Sequence, residues 1–163
     1  MFSEKEIKLP STINDFKILH KIGEGTFAEI FVIREQHRQE QFCLKRMSKS
    51  HCRQHGELAF ISNEFEILKT LHSRFLPTLY YAFEDDYYVF LVMDLFPSNL
   101  YRMMNELSIS LQEKIKYMVE VSMAIAFIHG KGYIYRDLKP ENILVDQHNS
   151  IRLCDFGYST KIQ

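Results

Sequence analysis

The 163-residue sequence predicts an α+β fold, and three observations carry that expectation. Near the start, apolar residues recur with period two at Phe16, Ile18 and Ile22 and again at Ile30 and Val32, the pattern of strands with one covered face. The period then lengthens to that of a helix between Glu57 and Leu71, and again between Leu111 and His129. Late in the chain, the apolar runs Ile143 to Val145 and Ile151 to Leu153 flank Asp146-Gln147-His148-Asn149-Ser150 and read as a β-hairpin.

Taken in order, residues 1–15 are polar, carry Pro10, Ser11, Thr12 and Asn14, and are expected to be a weakly packed leader. Phe16 opens the first strand, Gly23-Glu24-Gly25-Thr26-Phe27-Ala28 follows, and Ile30 and Val32 mark the second strand. A dinucleotide fingerprint needs its glycines to run into a helix, whose N-terminus faces the pyrophosphate. Here they run into β-branched and aromatic residues, so the turn joins two strands. The third strand, Gln41 to Met47, places Cys43 and Lys45 on one face and Phe42, Leu44 and Arg46 on the other. In the helix that follows, Leu58, Ile61, Phe65 and Leu68 make the apolar stripe, with Glu64 at its border. Pro77 interrupts, and Leu79 to Phe83 and Tyr88 to Met93 are two strands joined by Glu84, Asp85 and Asp86. Asp94 to Asn99, with Pro97, reads as a linker. Two helices come next, Leu100 to Leu107 and Leu111 to His129. The second carries a wide stripe of Leu111, Ile115, Met118, Val119, Ser122, Ile125 and Ala126, and Gly130 and Gly132 end it.

Composition narrows the function. The chain is 46% hydrophobic and 25% charged, as in globular domains that bury a core, and its length suits about one domain. The net charge is -1 and Lys and Arg are spread along the chain, so nothing points to nucleic acid or an anionic membrane as partner. Cys43, Cys52 and Cys154 lie far apart with no CxxC, which argues against a zinc site or disulfide framework and for a reducing compartment, the cytoplasm or nucleus. The start, MFSEKEIKLPS, has no signal-peptide core, and the longest apolar stretch, Tyr87 to Met93, is too short to span a bilayer.

The chemistry concentrates in Tyr135-Arg136-Asp137-Leu138-Lys139-Pro140-Glu141-Asn142, which follows Gly132-Tyr133-Ile134, read as a buried strand end, and precedes Asp155-Phe156-Gly157. Asp137 is an acid on a held loop. Asn142 and Asp155 offer an amide oxygen and a carboxylate, hard donors of the kind magnesium prefers. The hairpin between them brings both to one end, because the chain leaves along one strand and returns along the other. Taken singly, each piece has a plainer reading: Lys45 a surface lysine, Glu64 a solvated helix charge, Met93 a core residue, the glycines a hairpin turn.

Together the motifs resemble a eukaryotic protein kinase. YRDLKPEN is similar to the kinase catalytic loop at every position but its first, where Tyr135 replaces the commoner His, and DFG follows at a suitable distance. The tyrosine and the opening NDFKILHKIGEGTF are most like the AGC group of serine/threonine kinases, which contains the cyclic-nucleotide-dependent enzymes. The resemblance implies a protein-kinase-like fold with a five-stranded antiparallel small lobe and one main helix over residues 16–96. Residues 97–163 would be a partial large lobe of first helices and the catalytic-loop hairpin.

It also implies ATP and magnesium as cofactors. Ile22, Gly23, Gly25, Phe27 and Ile30 would lie over the nucleotide, Cys43 and Leu144 against adenine, Met93 at the gatekeeper position and Asp94 to Phe96 at the hinge that hydrogen-bonds the base. Lys45, paired with Glu64, would hold phosphate; Asn142 and Asp155 would hold magnesium; Asp137 would orient the substrate hydroxyl and accept its proton, with Lys139 near the transferring phosphate. Leu68, Leu79, Tyr135 and Phe156 fall where the family stacks a hydrophobic spine. Ala28 stands in place of a third glycine, and Asn99 where an acid often meets the ribose. Lys139 marks serine/threonine rather than tyrosine kinases, and Glu141 implies basic Ser/Thr peptides as protein substrate.

The resemblance covers Phe16 to about Thr160, and only Tyr158 to Gln163 follow DFG. A fragment, a truncated product and a regulatory half-kinase all stay open as readings. The expected function is an ATP-dependent serine/threonine protein kinase present as an incomplete domain. The alternative is a non-catalytic half-kinase that binds nucleotide or a partner, and a small-molecule kinase fits RDLKPEN less well. The stripe on Leu111 to His129 is expected to be exposed and to aggregate or be covered by a protein partner or chaperone.

Overall fold

The computed structural model describes residues 12–25, 27–36, 39–56, 58–106 and 108–162; the leader's residues 1–11 and Leu107 lie outside the described residues. The chain divides into two units, one of residues up to Phe65 together with Thr78–Leu95, the other of Glu66–Pro77 together with residues 96–163.

The first unit is built on a five-stranded antiparallel sheet, as the resemblance implied. Its strands are β1 (Phe16–Glu24), β2 (Ala28–Glu35), β3 (Gln41–Ser48), β4 (Leu79–Glu84) and β5 (Tyr88–Met93), in the order β1-β2-β3-β5-β4. One face buries an aromatic-rich core of Phe16, Phe31, Ile33, Phe42, Leu44, Tyr81, Phe90 and Val92. Its rings meet edge to face, Phe16 on Tyr81 at 5.4 Å, or stacked, Phe83 on Phe90 at 5.0 Å. Such geometry adds to the burial itself. Ahead of β1, Ile13–Asp15 forms a 3-10 turn in which Thr12 N–H donates to Asp15 Oδ2 at 2.8 Å, and Ile13 packs against the core.

Two details of this unit depart from the sequence reading. In β1, Phe16 is buried but Ile18 and Ile22 are exposed. Register shifts between Ile18 and His20 and between Lys21 and Gly23 twist this edge strand out of simple alternation. A short helix, α1 (Lys49–Gln54), also follows β3 where none was expected. Its start is set by Ser48, whose hydroxyl accepts the His51 N–H at 3.3 Å, and it turns Cys52 inward.

The helix α2 (Leu58–Thr70) buries Ile61, Glu64, Ile67 and Leu68. Leu58, placed on the stripe from sequence, is exposed, and Glu64 stands at the middle of the buried face, not at its border. A stripe drawn through apolar residues alone passes beside the true face when an acid occupies its centre.

In the second unit, β6 (Ser98–Asn99), β8 (Ile143–Val145) and β9 (Ile151–Leu153) form a three-stranded sheet, with Ser98 opposite Val145 and Ile143 opposite Leu153. The predicted linker therefore ends inside a strand. Asn99 also caps α3 (Leu100–Glu106), accepting the Arg102 N–H at 2.8 Å. The long helix α4 (Leu111–Gly130) starts on a capping box: Ser110 Oγ accepts the Glu113 N–H, and Glu113 accepts the Ser110 N–H. Gly132, at φ +80°, closes it by donating its N–H to His129 O at 2.9 Å. The buried residues of α4 are Tyr117, Ala124 and Ile128, whereas Leu111, Ile115, Met118 and Val119 are exposed, as expected for that stripe. Against the hairpin, Glu120 accepts the Ile151 N–H at 2.9 Å and Lys116 donates to Asn149 O at 2.6 Å. The strand β7 (Tyr133–Ile134) pairs with β10 (Thr160–Lys161), and Ile134 is exposed, not buried. Successive side chains of a strand face opposite ways, and here Tyr133 is half-buried while Ile134 faces out.

Candidate active site

The first unit supplies the glycine turn and the buried lysine. Gly23 pairs with Ile30 across β1 and β2, and Gly25 N–H donates to Ala28 O at 2.8 Å. A Cβ on Gly23 would meet Ile30 at 3.6 Å and one on Gly25 would meet Ala28 O at 3.9 Å, ordinary contacts, so packing within the chain does not demand glycine at either place. The Phe27 ring lies 5.4 Å from His51, 5.8 Å from His55 and 5.9 Å from Phe60, an aromatic cluster with α1 and α2. Ile22 is exposed and Ile30 half-buried, the latter opposite Lys45 in β3.

Alternation in β3 turns Phe42 and Leu44 to the aromatic core, and Lys45 to the other side. There Lys45 Nζ meets Glu64 Oε2 at 2.5 Å, with the residues only 8% and 2% exposed. A charge pair so dry is retained only with tight geometry, since each ion has lost its water. Cys43 lies opposite Met93 in the register. Burial pushes its thiol up to about 12; the Lys45 ammonium pulls it down, and Glu64 pushes it up again. It is therefore a neutral thiol at pH 7. Met93 ends β5 in the core, and Asp94 follows at once, its carboxylate accepting from Thr78 N–H at 2.7 Å and from the Tyr80 hydroxyl at 2.7 Å.

The second unit gathers the remaining candidates around two strained residues. Arg136 has φ 67° and Asp155 φ 61°, a left-handed backbone that non-glycine residues adopt at a cost of about 1–3 kcal/mol when their surroundings hold them there. The holding groups are visible. Arg136 Nε donates to Tyr158 O at 2.6 Å, the Tyr135 hydroxyl to Cys154 O at 2.5 Å, and Ser159 Oγ to Tyr135 O at 3.2 Å. The Tyr135 ring also rests on Phe156 at 5.3 Å. Burial raises the Tyr135 phenol far above its ordinary value, so it keeps the proton it donates.

Within the loop, Asp137 Oδ2 accepts from Asn142 Nδ2 at 2.7 Å and from Lys139 Nζ at 2.9 Å. That bond to Asp137 is also what raises Lys139 above the ordinary lysine value. Asn142 Nδ2 reaches Asp137 O as well, at 3.1 Å, so its amide nitrogen is spent on Asp137 and its Oδ1 is turned away. Pro140–Asn142 is a single 3-10 turn that fixes this spacing. On the hairpin, Cys154 N–H donates to Asn142 O at 3.0 Å, which brings Asn142 beside the residue preceding Asp155. An amide oxygen and one carboxylate, with no cluster of three or more His, Cys, Asp or Glu among the described residues, fit a magnesium ion that keeps waters and phosphates rather than an all-protein cage. Leu144 is half-buried on β8, Phe96 is half-buried ahead of β6, and Leu68, Leu79, Tyr135 and Phe156 are all buried.

Sequence reasoning missed the Tyr80–Asp94–Thr78 contacts, the left-handed residues and the tie from Tyr135 to Cys154. The single signal available in advance was the tyrosine standing where histidine is usual.

A loop that presents an acid, a lysine and an amide in one hydrogen-bonded cluster, beside a strained DFG, defines the protein kinase class. The chain belongs to the protein kinase domain family, which matches residues 16–163. Among its relatives are the serine/threonine-protein kinase ppk35 of Schizosaccharomyces pombe, 38% identical over 149 residues, and the citron rho-interacting kinase of Rattus norvegicus, 35% identical over 158 residues. The human serine/threonine-protein kinase MRCK gamma is 36% identical over 156 residues. These alignments cover 90%, 95% and 94% of this chain, but the chain spans only 24%, 8% and 10% of those proteins.

Proposed function

We propose that the chain is the nucleotide-handling part of an ATP-dependent serine/threonine protein kinase, with a small lobe over residues 16–96 and part of the large lobe over 97–163. The observation that carries this reading is the Asp137 cluster. Lys139 and Asn142 both occupy Oδ2, which leaves Oδ1 to receive a substrate hydroxyl. In the step proposed, the serine or threonine oxygen forms a bond to the γ-phosphorus as the bond from that phosphorus to the β,γ-bridging oxygen breaks, and the hydroxyl proton passes to Asp137. Orientation is the larger contribution of so weak a base, because the transition state is loose. Lys45, fixed by Glu64, and Lys139 neutralise phosphate charge. Asn142 Oδ1 and Asp155 would hold magnesium, which supplies further charge neutralisation on the phosphates when bound. Gly23 and Gly25, whose Cβ positions meet nothing that excludes a side chain, support a role in keeping space for phosphate. Ile22, Phe27, Ile30, Cys43, Met93, Asp94, Phe96 and Leu144 are assigned to the nucleotide side. Glu141 favours basic peptides as substrates, and three free thiols suit a reducing compartment, the cytoplasm or nucleus.

The test is magnesium-dependent ATP binding by calorimetry, beside Lys45→Met and Asp155→Ala, followed by phosphate transfer to a basic serine peptide, beside Asp137→Ala. Binding lost in the first two variants and transfer lost in the third are expected. A folded chain that binds no ATP would sink the reading. The exposed apolar face of α4 favours a second one, a partner-binding half-kinase. That reading gains if ATP binds, no transfer occurs, and a protein seated on this face protects Met118 from oxidation.

A further inference from the structure

His51 and His55 are a pair that the nucleotide reading leaves unused. The His55 N–H donates to His51 O at 3.2 Å at the end of α1, so the two residues stand one helical turn apart on the same face. Their imidazoles are stacked, with centroids 4.8 Å apart and planes 26° from parallel. Both residues are exposed, and among the described residues neither ring nitrogen enters a hydrogen bond or an ion pair. The Phe27 ring stands against the pair, 5.4 Å from His51 and 5.8 Å from His55. The cations of α1 lie elsewhere. The Lys49 ammonium is drawn to the β4–β5 turn, 2.7 Å from Glu84 Oε2 and 2.6 Å from Asp85 O. Arg53 sits midway between the two histidines in sequence, so it falls on a different face of the helix.

We propose that His51 and His55 together bind one divalent transition-metal ion, of which zinc is the test case, through one ring nitrogen each, with water completing the shell. Two imidazoles on one ion have a size requirement. Metal–nitrogen bonds of about 2.0–2.1 Å, with each ring beyond its nitrogen, separate the two centroids by about 4.5–5.2 Å across square to tetrahedral angles. The observed 4.8 Å lies inside that interval, so the rings need not move apart or together to share an ion. Imidazole selects transition ions, whereas magnesium prefers oxygen. The site therefore shares neither residues nor ion chemistry with the magnesium assigned to Asn142 and Asp155, and it stands whether or not that reading holds. A bound ion would bridge successive turns of a six-residue helix, a length that does not hold itself in water. It would thereby steady the seat of Phe27 in the glycine turn.

Calorimetric titration of the chain with zinc chloride, in excess magnesium and without nucleotide, tests this with the parent, His51→Gln, His55→Gln and, as a control, His20→Gln on the exposed surface of β1. Each of the first two variants is expected to weaken zinc by about tenfold or more, since even loss of a group that only orients a ligand costs that much, and His20→Gln should match the parent. Zinc should also raise the thermal midpoint of the parent, as any ligand of the folded state does, and leave that of His51→Gln and His55→Gln unmoved. A measurement on the parent alone guards against a variant that fails to fold: zinc should protect His51 and His55, and not His20, from diethyl pyrocarbonate, as read by mass spectrometry. Zinc affinity unchanged in both variants, or lost in only one of them, overturns the proposal, because a single histidine or a thiol would then hold the ion. Equal loss in His20→Gln, unprotected His51 and His55, or a folded parent that binds no zinc overturns it as well.

Discussion

Cys43, Lys45 and Glu64 form a small electrostatic unit in which each residue conditions the others. The Lys45–Glu64 pair is dry enough that removing one member costs more than the pair contributes. Lys45→Ala is expected to lower unfolding stability by about 3–5 kcal/mol, as read by urea titration, and Lys45→Met by less because the stem packing is kept. A loss below about 1 kcal/mol for Lys45→Ala would mean that Glu64 is solvated. Cys43 and Cys154 are both half-buried, whereas Cys52 is buried, so with iodoacetamide at pH 8 Cys52 should react only as fast as the chain opens, and Cys43, whose thiol is pushed up to about 12, should react slowly for its exposure. Mass spectrometry showing rapid native labelling of Cys43 would contradict the raised thiol. Tyr117 gives a prediction of opposite sign. Its hydroxyl is buried on α4 and makes no hydrogen bond among the described residues, so Tyr117→Phe removes a group unsatisfied there. Thermal unfolding should show no loss, and a gain of up to about 1 kcal/mol.

At the scale of elements, the β8–β9 turn is organised by one carboxylate. Asp146 Oδ1 accepts the His148 N–H at 2.8 Å and the Ser150 N–H at 2.9 Å, and Arg152 lies 3.5 Å from its other oxygen. Burial alone would raise its pKa, but the two N–H groups and the nearby cations outweigh burial and lower it. A depressed folded pKa means stability that is present above the unfolded value, about 3.9, and lost as pH falls through the folded one. Protection of the His148 and Ser150 amides should therefore fall below pH about 4, and Asp146→Asn should remove that dependence; protection that ignores pH in the parent chain would count against it. The same scale shows what could be read in advance. YRDLKPEN was legible because its residues are adjacent and a single 3-10 turn keeps them so. The strands were legible by alternation until a bulge intervened, as at Ile18. The α2 face was misplaced because its centre is an acid, and α1 is six residues long, too short to show a period. The Asp94 contacts reach back 14 and 16 residues, to groups that only strand pairing brings near.

At the scale of the whole molecule, charge and apolar exposure act together. The chain carries 20 Lys and Arg against 21 Asp and Glu, a formal net charge of -1 at pH 7, so the net charge is near zero there. Long-range repulsion between copies is then weak, and nothing of that kind opposes apolar contact. The apolar side chains in question lie on α4, where Leu111, Ile115, Met118 and Val119 are exposed, Met118 at 71%. An apolar patch on a chain of low net charge favours association that salt does not relieve, because the attraction is not ionic. The chain is expected to self-associate with rising concentration near pH 7, with little change between low and high salt. Met118→Lys should reduce that association while changing unfolding stability by less than about 0.5 kcal/mol, since the site is on the surface. Light scattering over a concentration series checks the first, urea titration the second. Association that persists unchanged in Met118→Lys and in Ile115→Lys would place the sticky surface elsewhere, and association abolished by salt would make it electrostatic. If Met118→Lys instead unfolds the chain, α4 packs through Met118 in solution, and the exposed face described above is covered by the chain itself.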